Sequence, residues 1–145
     1  MKVDFYHLTR SPLERVLPRI AGKVHADGGR LLVVSADAGQ RQSIDRLLWT
    51  FAPDSFLPHA QAGEGEAALQ AVLIAGTIDP ANGARSVASV DGEWRDGALT
   101  FDRAFHFFAD DAIDRARVAW KELAGRDGVE RRYWRQGEGG WEQAA

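Results

Sequence analysis

Apolar and polar positions alternate along this chain in blocks that change period several times. Residues 3–8 mix β-formers and aromatics, which predicts a first strand. Ser11-Pro12-Leu13-Glu14 then has the form of a capping box with proline at the first helical position. Leu13, Val16, Leu17, Ile20, Ala21 and Val24 follow at helical spacing and predict an amphipathic helix ending at Gly28-Gly29. Pro18 inside that pattern is expected to kink the helix or to reduce its first part to a short turn. Residues 30–35 form a continuous apolar run, as expected of a strand buried on both faces of a parallel sheet. Asp37 and Gln40 repeat the capping-box pattern ahead of a helix over 41–49, with Ile44, Leu47 and Leu48 on its inner face.

Residues 63–66 are flexible and acidic, and 70–76 read as another buried strand, with a weaker one at 86–90. Residues 91–99 lack periodicity and predict a local excursion before a strand at 103–108. Asp110-Asp111 is expected to cap a helix over 112–124, and 129–143 to form a hairpin turning at 137–140, or a frayed tail. Strands alternating with helices give an α/β class: a single domain with a largely parallel central sheet flanked by helices. Residues 1–128 make up its body and 129–145 a C-terminal hairpin or tail of the same domain.

Composition closes several classes. With no cysteine among 145 residues there is no disulfide frame, thiolate nucleophile or Cys-based zinc site. No apolar run approaches the roughly 20 residues that span a bilayer, and the N-terminal residues do not form a signal peptide, so a cytoplasmic protein is expected. The net charge of −3 argues against tight, non-specific nucleic-acid binding. That charge is unevenly spread. Residues 37–114 hold far more acids than bases, whereas 115–135 are predominantly basic, which implies a face suited to an acidic partner or a merely clustered, solvated surface.

Catalytic and cofactor motifs are missing from the sequence. The loops after the first two strands, Thr9-Arg10-Ser11-Pro12 and Ala36-Asp37-Ala38-Gly39, carry neither a G-x-G-x-x-G turn nor a P-loop. His7, His25, His59 and His106 lack the spacing of metal ligands. His59 lies near Asp54 and Ser55, but a triad packed into six residues is hard to orient, and a structural histidine tying the loop ends together is the simpler reading. No cofactor is implied.

Two surfaces invite a binding role. At about 100° per residue, Ala112, Ala116, Ala119 and Leu123 share the core stripe of the last helix. Ile113 and Trp120 lie beside it, followed by Arg117 and Lys121. An apolar patch bordered by cations suits a peptide terminus that carries a hydrophobic side chain and a carboxylate. Arg126, Arg131 and Arg132 extend the positive field. The alternative is a half-buried tryptophan with its cationic neighbours in water. The second surface is the loop after the 41–49 helix, where Trp49, Phe51, Pro53, Phe56, Pro58 and His59 crowd into a dozen residues. Such a Pro-stiffened aromatic loop either plugs its own core or meets a protein partner.

The run Leu47-Leu48-Trp49-Thr50-Phe51-Ala52-Pro53-Asp54-Ser55-Phe56-Leu57-Pro58-His59 resembles the signature of the chi subunit family of bacterial DNA polymerase III holoenzyme. Phe5-Tyr6-His7-Leu8, Asp45-Arg46 and the set Arg117, Trp120, Lys121 resemble the same family in the same order, across roughly residues 3–128. The resemblance implies a mononucleotide-binding-like α/β topology without a phosphate-binding motif or catalysis. It further implies a clamp-loader accessory subunit that binds the acidic C-terminal tail of single-stranded DNA-binding protein, which ends in Pro-Phe and a free carboxylate. Arg117, Trp120 and Lys121 match that role, with Ile113 and Arg126 beside them. A second surface, at Trp49, Phe51, Phe56 and Pro58, is implied to bind the psi subunit. On this reading the protein is a monomer alone, a heterodimer with psi, and meets DNA only indirectly. The alternatives are a small nucleotide-binding enzyme using the loops at 9–11 or 36–39, and a direct single-strand DNA binder using Trp120, Tyr133 and Trp134.

Overall fold

The computed structural model describes residues 1–51 and 57–145. Its elements run in chain order as β1 (Lys2–His7), α1 (Leu13–Ala26), β2 (Leu31–Val34), α2 (Ala38–Thr50), β3 (His59–Gln61) and β4 (Val72–Ala75). They continue as β5 (Ser86–Ser89), β6 (Arg103–Phe108), α3 (Ile113–Leu123), β7 (Glu130–Gly137) and β8 (Gly140–Gln143). The strands form one sheet in the order β3-β4-β2-β5-β6-β1-β7-β8. Every neighbouring pair is parallel except the β7–β8 hairpin.

Alternation along the strands divides the core in two. Val3 and Phe5 of β1, Leu32 and Val34 of β2 and Phe108 of β6 face Ala116, Ala119 and Leu123 of α3. Leu31 and Val33 of β2 with Phe105 and Phe107 of β6 face Leu17 and Ala21 of α1 and Ile44 and Leu48 of α2. All four residues of β2 are buried because both faces of the sheet are covered there. The small residues along the inner side of α3 let that helix lie close to the sheet.

Several local expectations need correction. Ser11 does not cap α1: Pro12 is the N-cap, with no side-chain cap bond, so the start lies one residue beyond the expected box. The helix runs through Pro18, which is buried. The carbonyl that loses its donor belongs to Glu14, an exposed residue on the solvent side of the helix. Asp37 does cap α2, its carboxylate accepting from the Gly39 and Gln40 N–H groups at 2.8 and 3.3 Å. Gln40 does not complete the box; its amide accepts from the Ser35 hydroxyl at 2.5 Å and donates to the Val90 carbonyl at 2.9 Å. Asp110 and Asp111 do not cap α3 either. They open a 3-10 turn, the α3 N-cap is Ala112, and the Asp110 carboxylate meets the His7 ring at 2.6 Å.

Residues 91–99 do leave the sheet. An Asp91–Arg95 ion pair at 2.7 Å anchors the excursion, which continues into a 3-10 turn at Asp96–Thr100 and packs Trp94 against the α3-side core. Gly92 lets this segment touch the start of α3: its φ is +78°, and an added Cβ would sit 2.9 Å from the Ala112 Cβ. Two features were not expected. The short strand β3 forms one edge of the sheet on β4, and β7 pairs in parallel with β1, which makes the C-terminal hairpin the other edge.

Candidate functional site

α3 is bounded by two different flanks. On one, Arg115 pairs with Glu93, and beyond the helix end Arg126 pairs with Asp96 at 3.2 Å, both partners belonging to the 91–99 excursion. On the other flank, toward β7, lie Ile113, Arg117, Trp120 and Lys121. Arg117 is 65% exposed and only loosely paired with Asp114 at 3.9 Å; Lys121 is exposed. The structure thus brings together four of the five residues expected of the peptide site and places Arg126 in a contact of its own.

Trp120 is half-buried. Its ring meets Phe5 edge-on at 5.4 Å and 84°, and Tyr133 edge-on at 5.6 Å and 88°. The Arg131 guanidinium lies 4.0 Å from the Trp120 ring centroid and donates to the Trp120 carbonyl at 2.5 Å. Tyr133 stacks on Phe5 at 6.4 Å and crosses Phe108 at 5.8 Å. Burial pushes the Tyr133 hydroxyl above its usual range; Arg117 works against that shift and Asp110 adds to it, so both charges act on this hydroxyl. This flank is an apolar, aromatic corner edged by exposed cations.

Sequence reasoning named Arg131 only as part of a general positive field and gave Tyr133 no role at this site. The signal was there in the alternation Arg131-Arg132-Tyr133-Trp134, which puts odd and even positions on opposite faces of a strand. Which face meets α3 follows only from the register of β7 on β1, where Tyr133 stands opposite Phe5 and Trp134 opposite Tyr6. The same register bears on the DNA-binding alternative. Trp134 lies on the far face with Tyr6 and Arg132, where the buried Asp4 carboxylate accepts from Arg103, Arg132 and the Trp134 indole. Trp120 and Tyr133 therefore share no stacking platform with Trp134.

At the aromatic loop, Trp49 lies in the last turn of α2 with 58% of its surface exposed, its ring 4.7 Å from that of His59. Phe51 packs partly against the α1/α2 core, Leu57 is buried and Pro58 is half-buried. Phe56, with Asp54 and Ser55, lies outside the described residues. His59 is buried, and its ring nitrogens lie 2.8 Å from the Leu57 carbonyl and 3.0 Å from the Asp45 carbonyl. The ring ties the returning chain to α2, as the structural reading expected.

A crevice of about 750 Å³ opens beyond the C-terminal ends of β1 and β6, where folds of this class bind their ligands. Its lining opposes a nucleotide. Among the described residues, Glu14, Asp37, Asp91 and Asp111 line it against one cation, Arg10. The Asp91 carboxyl is held at about 2: burial works against that, but Arg95 and the N–H groups of Ala36 and Glu93 outweigh it. In the β1–α1 loop three consecutive N–H groups, from Thr9, Arg10 and Ser11, converge on one atom, the Gln136 side-chain oxygen, at 3.0, 2.7 and 2.9 Å. These three donors are taken by a side chain of β7 and are not free to receive an anion. Among the described residues no cluster of His, Asp or Glu is arranged to hold a metal, and no helix is long and apolar enough to cross a membrane.

The chain is similar to DNA polymerase III subunit chi of Pseudomonas aeruginosa, with 36% identity over 66 residues, 43% of this chain and 46% of that protein. It is similar to the subunit of the same name from Escherichia coli (strain K12), with 36% identity over 55 residues, 38% of this chain and 37% of that one. These alignments span less than half the length of either relative. The family description "DNA polymerase III chi subunit, HolC" matches residues 1–130, which include all of α3 and the aromatic loop after α2. With that breadth of match, the chain belongs to the DNA polymerase III chi subunit family.

Proposed function

We propose that this protein is a non-catalytic adaptor of the replication machinery. One surface binds the acidic C-terminal tail of single-stranded DNA-binding protein, and the other joins the clamp loader through psi. The observation that carries the reading is the α3 flank: a half-buried Trp120 beside Ile113, with Arg117 and Lys121 exposed next to it. A tail ending in an aromatic side chain and a free carboxylate presents the complementary groups. The phenyl ring packs on the apolar corner, Arg117 takes the carboxylate through two parallel N–H donors, and Lys121 attracts the acids upstream. Exposed charges attract at long range and are screened by salt, so such binding weakens as ionic strength rises.

Trp49, Phe51, Phe56 and Pro58 are assigned to the psi contact. The family match and the exposure of Trp49 support this. The protein then acts as a monomer alone and a heterodimer with psi, touching DNA only through its partners. The test is calorimetric titration with a peptide copying the acidic tail, at low and moderate salt, against Arg117→Ala. Micromolar, salt-sensitive binding removed by the substitution is the expected result. Absence of binding by the unsubstituted protein would discard the reading.

A further inference from the structure

We infer that the peptide site is a composite of α3 and β7, in which Arg131 supplies the upstream cation and Tyr133 a second aromatic surface beside Trp120. This inference rests on the tail-binding reading above and adds two residues that lie beyond the 1–130 family match. Sequence spacing had placed Arg126 at this site, but Arg126 follows the other flank and is paired with Asp96. Of the arginines expected to extend the positive field, Arg131 is the one beside Trp120. Its guanidinium stacks on Trp120 and is fixed by the bond to the Trp120 carbonyl. A guanidinium held in place loses less freedom when it engages a carboxylate than one on a mobile side chain.

Tyr133 meets Trp120 at 88°, so the two rings form a right-angled corner. An aromatic side chain entering that corner makes an edge-to-face contact with one wall while lying against the other, which an aliphatic side chain cannot reproduce. The Tyr133 hydroxyl feels Arg117, the residue assigned to the terminal carboxylate, so the corner and the carboxylate site are adjacent. The occupant is therefore a peptide C-terminus with an aromatic last residue and acidic residues before it. Arg131 determines the contribution of those acids, and Tyr133 determines the preference for an aromatic end.

The test titrates the full-length protein with three synthetic peptides of the acidic-tail type: one ending in Phe, one ending in Leu, and one with its upstream acids replaced by amides. Arg131→Gln is expected to weaken binding of the Phe peptide about tenfold and to flatten its salt dependence. The same substitution should scarcely affect the amide peptide, whereas Arg126→Gln leaves all three within about twofold. Tyr133→Leu is expected to reduce the Phe-over-Leu preference about fivefold. Tyr133→Phe, which keeps the ring, retains that preference. Thermal unfolding of each variant confirms that it is folded. If Arg117→Ala abolishes binding while Arg131→Gln and Tyr133→Leu leave affinity and preference unchanged, the composite site is wrong and the tail-binding reading stands. If the unsubstituted protein binds none of the peptides, both fall together.

Discussion

His106 makes the stability of this protein depend on pH in a way that can be worked out in advance. The residue sits on β6 with no exposed surface, between Phe5, Trp94 and Phe108. Among the described residues neither ring nitrogen has a hydrogen-bond partner. Burial holds the ring at about 4, below its ordinary 6.5; Arg95 and Arg115 push the same way and Asp91 opposes them. Its folded value is lower than its unfolded one, so the unfolded chain takes up the proton first. The stabilising contribution is complete above pH 6.5 and is lost as the pH falls from there toward 4. At about 1.4 kcal/mol for each pH unit, the loss amounts to roughly 3 kcal/mol across that window. Urea unfolding at pH 7.5, 6.0, 5.0 and 4.5, on the natural chain and on His106→Leu, measures it. The variant lacks the titrating ring and the two unpaired nitrogens, so it should be as stable at pH 7.5 and progressively more stable than the natural chain below 6.5. A stability difference that stays constant from pH 7.5 to 4.5 would refute the assignment.

Two other substitutions probe polar contacts that span the fold. Asp4→Ala leaves Arg103 and Arg132 facing each other across a buried gap, and because both arginines keep partial contact with water the expected loss is about 2–3 kcal/mol, read by urea unfolding. Gln136→Ala orphans the three loop N–H groups and should lower stability by about 1 kcal/mol. Gln136→Glu places a charged oxygen on the same donors, which depresses the folded-state pKa of the new carboxyl. It should stabilise the protein at neutral pH, begin to lose that gain as the pH falls past the ordinary glutamate value, and lose the rest as it falls through the lower folded-state value. Thermal unfolding at pH 7 and pH 4 checks both signs.

Much of this architecture was legible in the chain because local chemistry fixed it. The boundaries of β6 coincide with the expected 103–108, and the buried run of β2 and the alternating blocks gave the parallel α/β class. Asp37 announced α2 because its short carboxylate reaches the N–H groups of its own first turn. Where the sequence reading failed, a distant partner had outcompeted a local one. Asp110 had the spacing of a cap but binds His7 of another strand, and Gln40 had the form of a capping box but bonds Ser35 and Val90. The strand β3 is three residues long and carries too little pattern to be seen, since its pairing with β4 creates it.

The candidate site divides in the same way. The period of α3 alone placed Ile113, Arg117, Trp120 and Lys121 on one flank, because a helix repeats every few residues whatever surrounds it. Residues separated by a turn or a glycine have no such fixed phase. Arg126, just past the helix end, turned toward Asp96, and Arg131 came back on β7 to lie over Trp120. The pairing of β7 beside β1 decided that Tyr133 faces α3 while Trp134 faces the other side. That pairing depends on hydrogen bonds between strands more than a hundred residues apart, and a register contributed by a distant strand leaves no periodic trace in the segment that receives it.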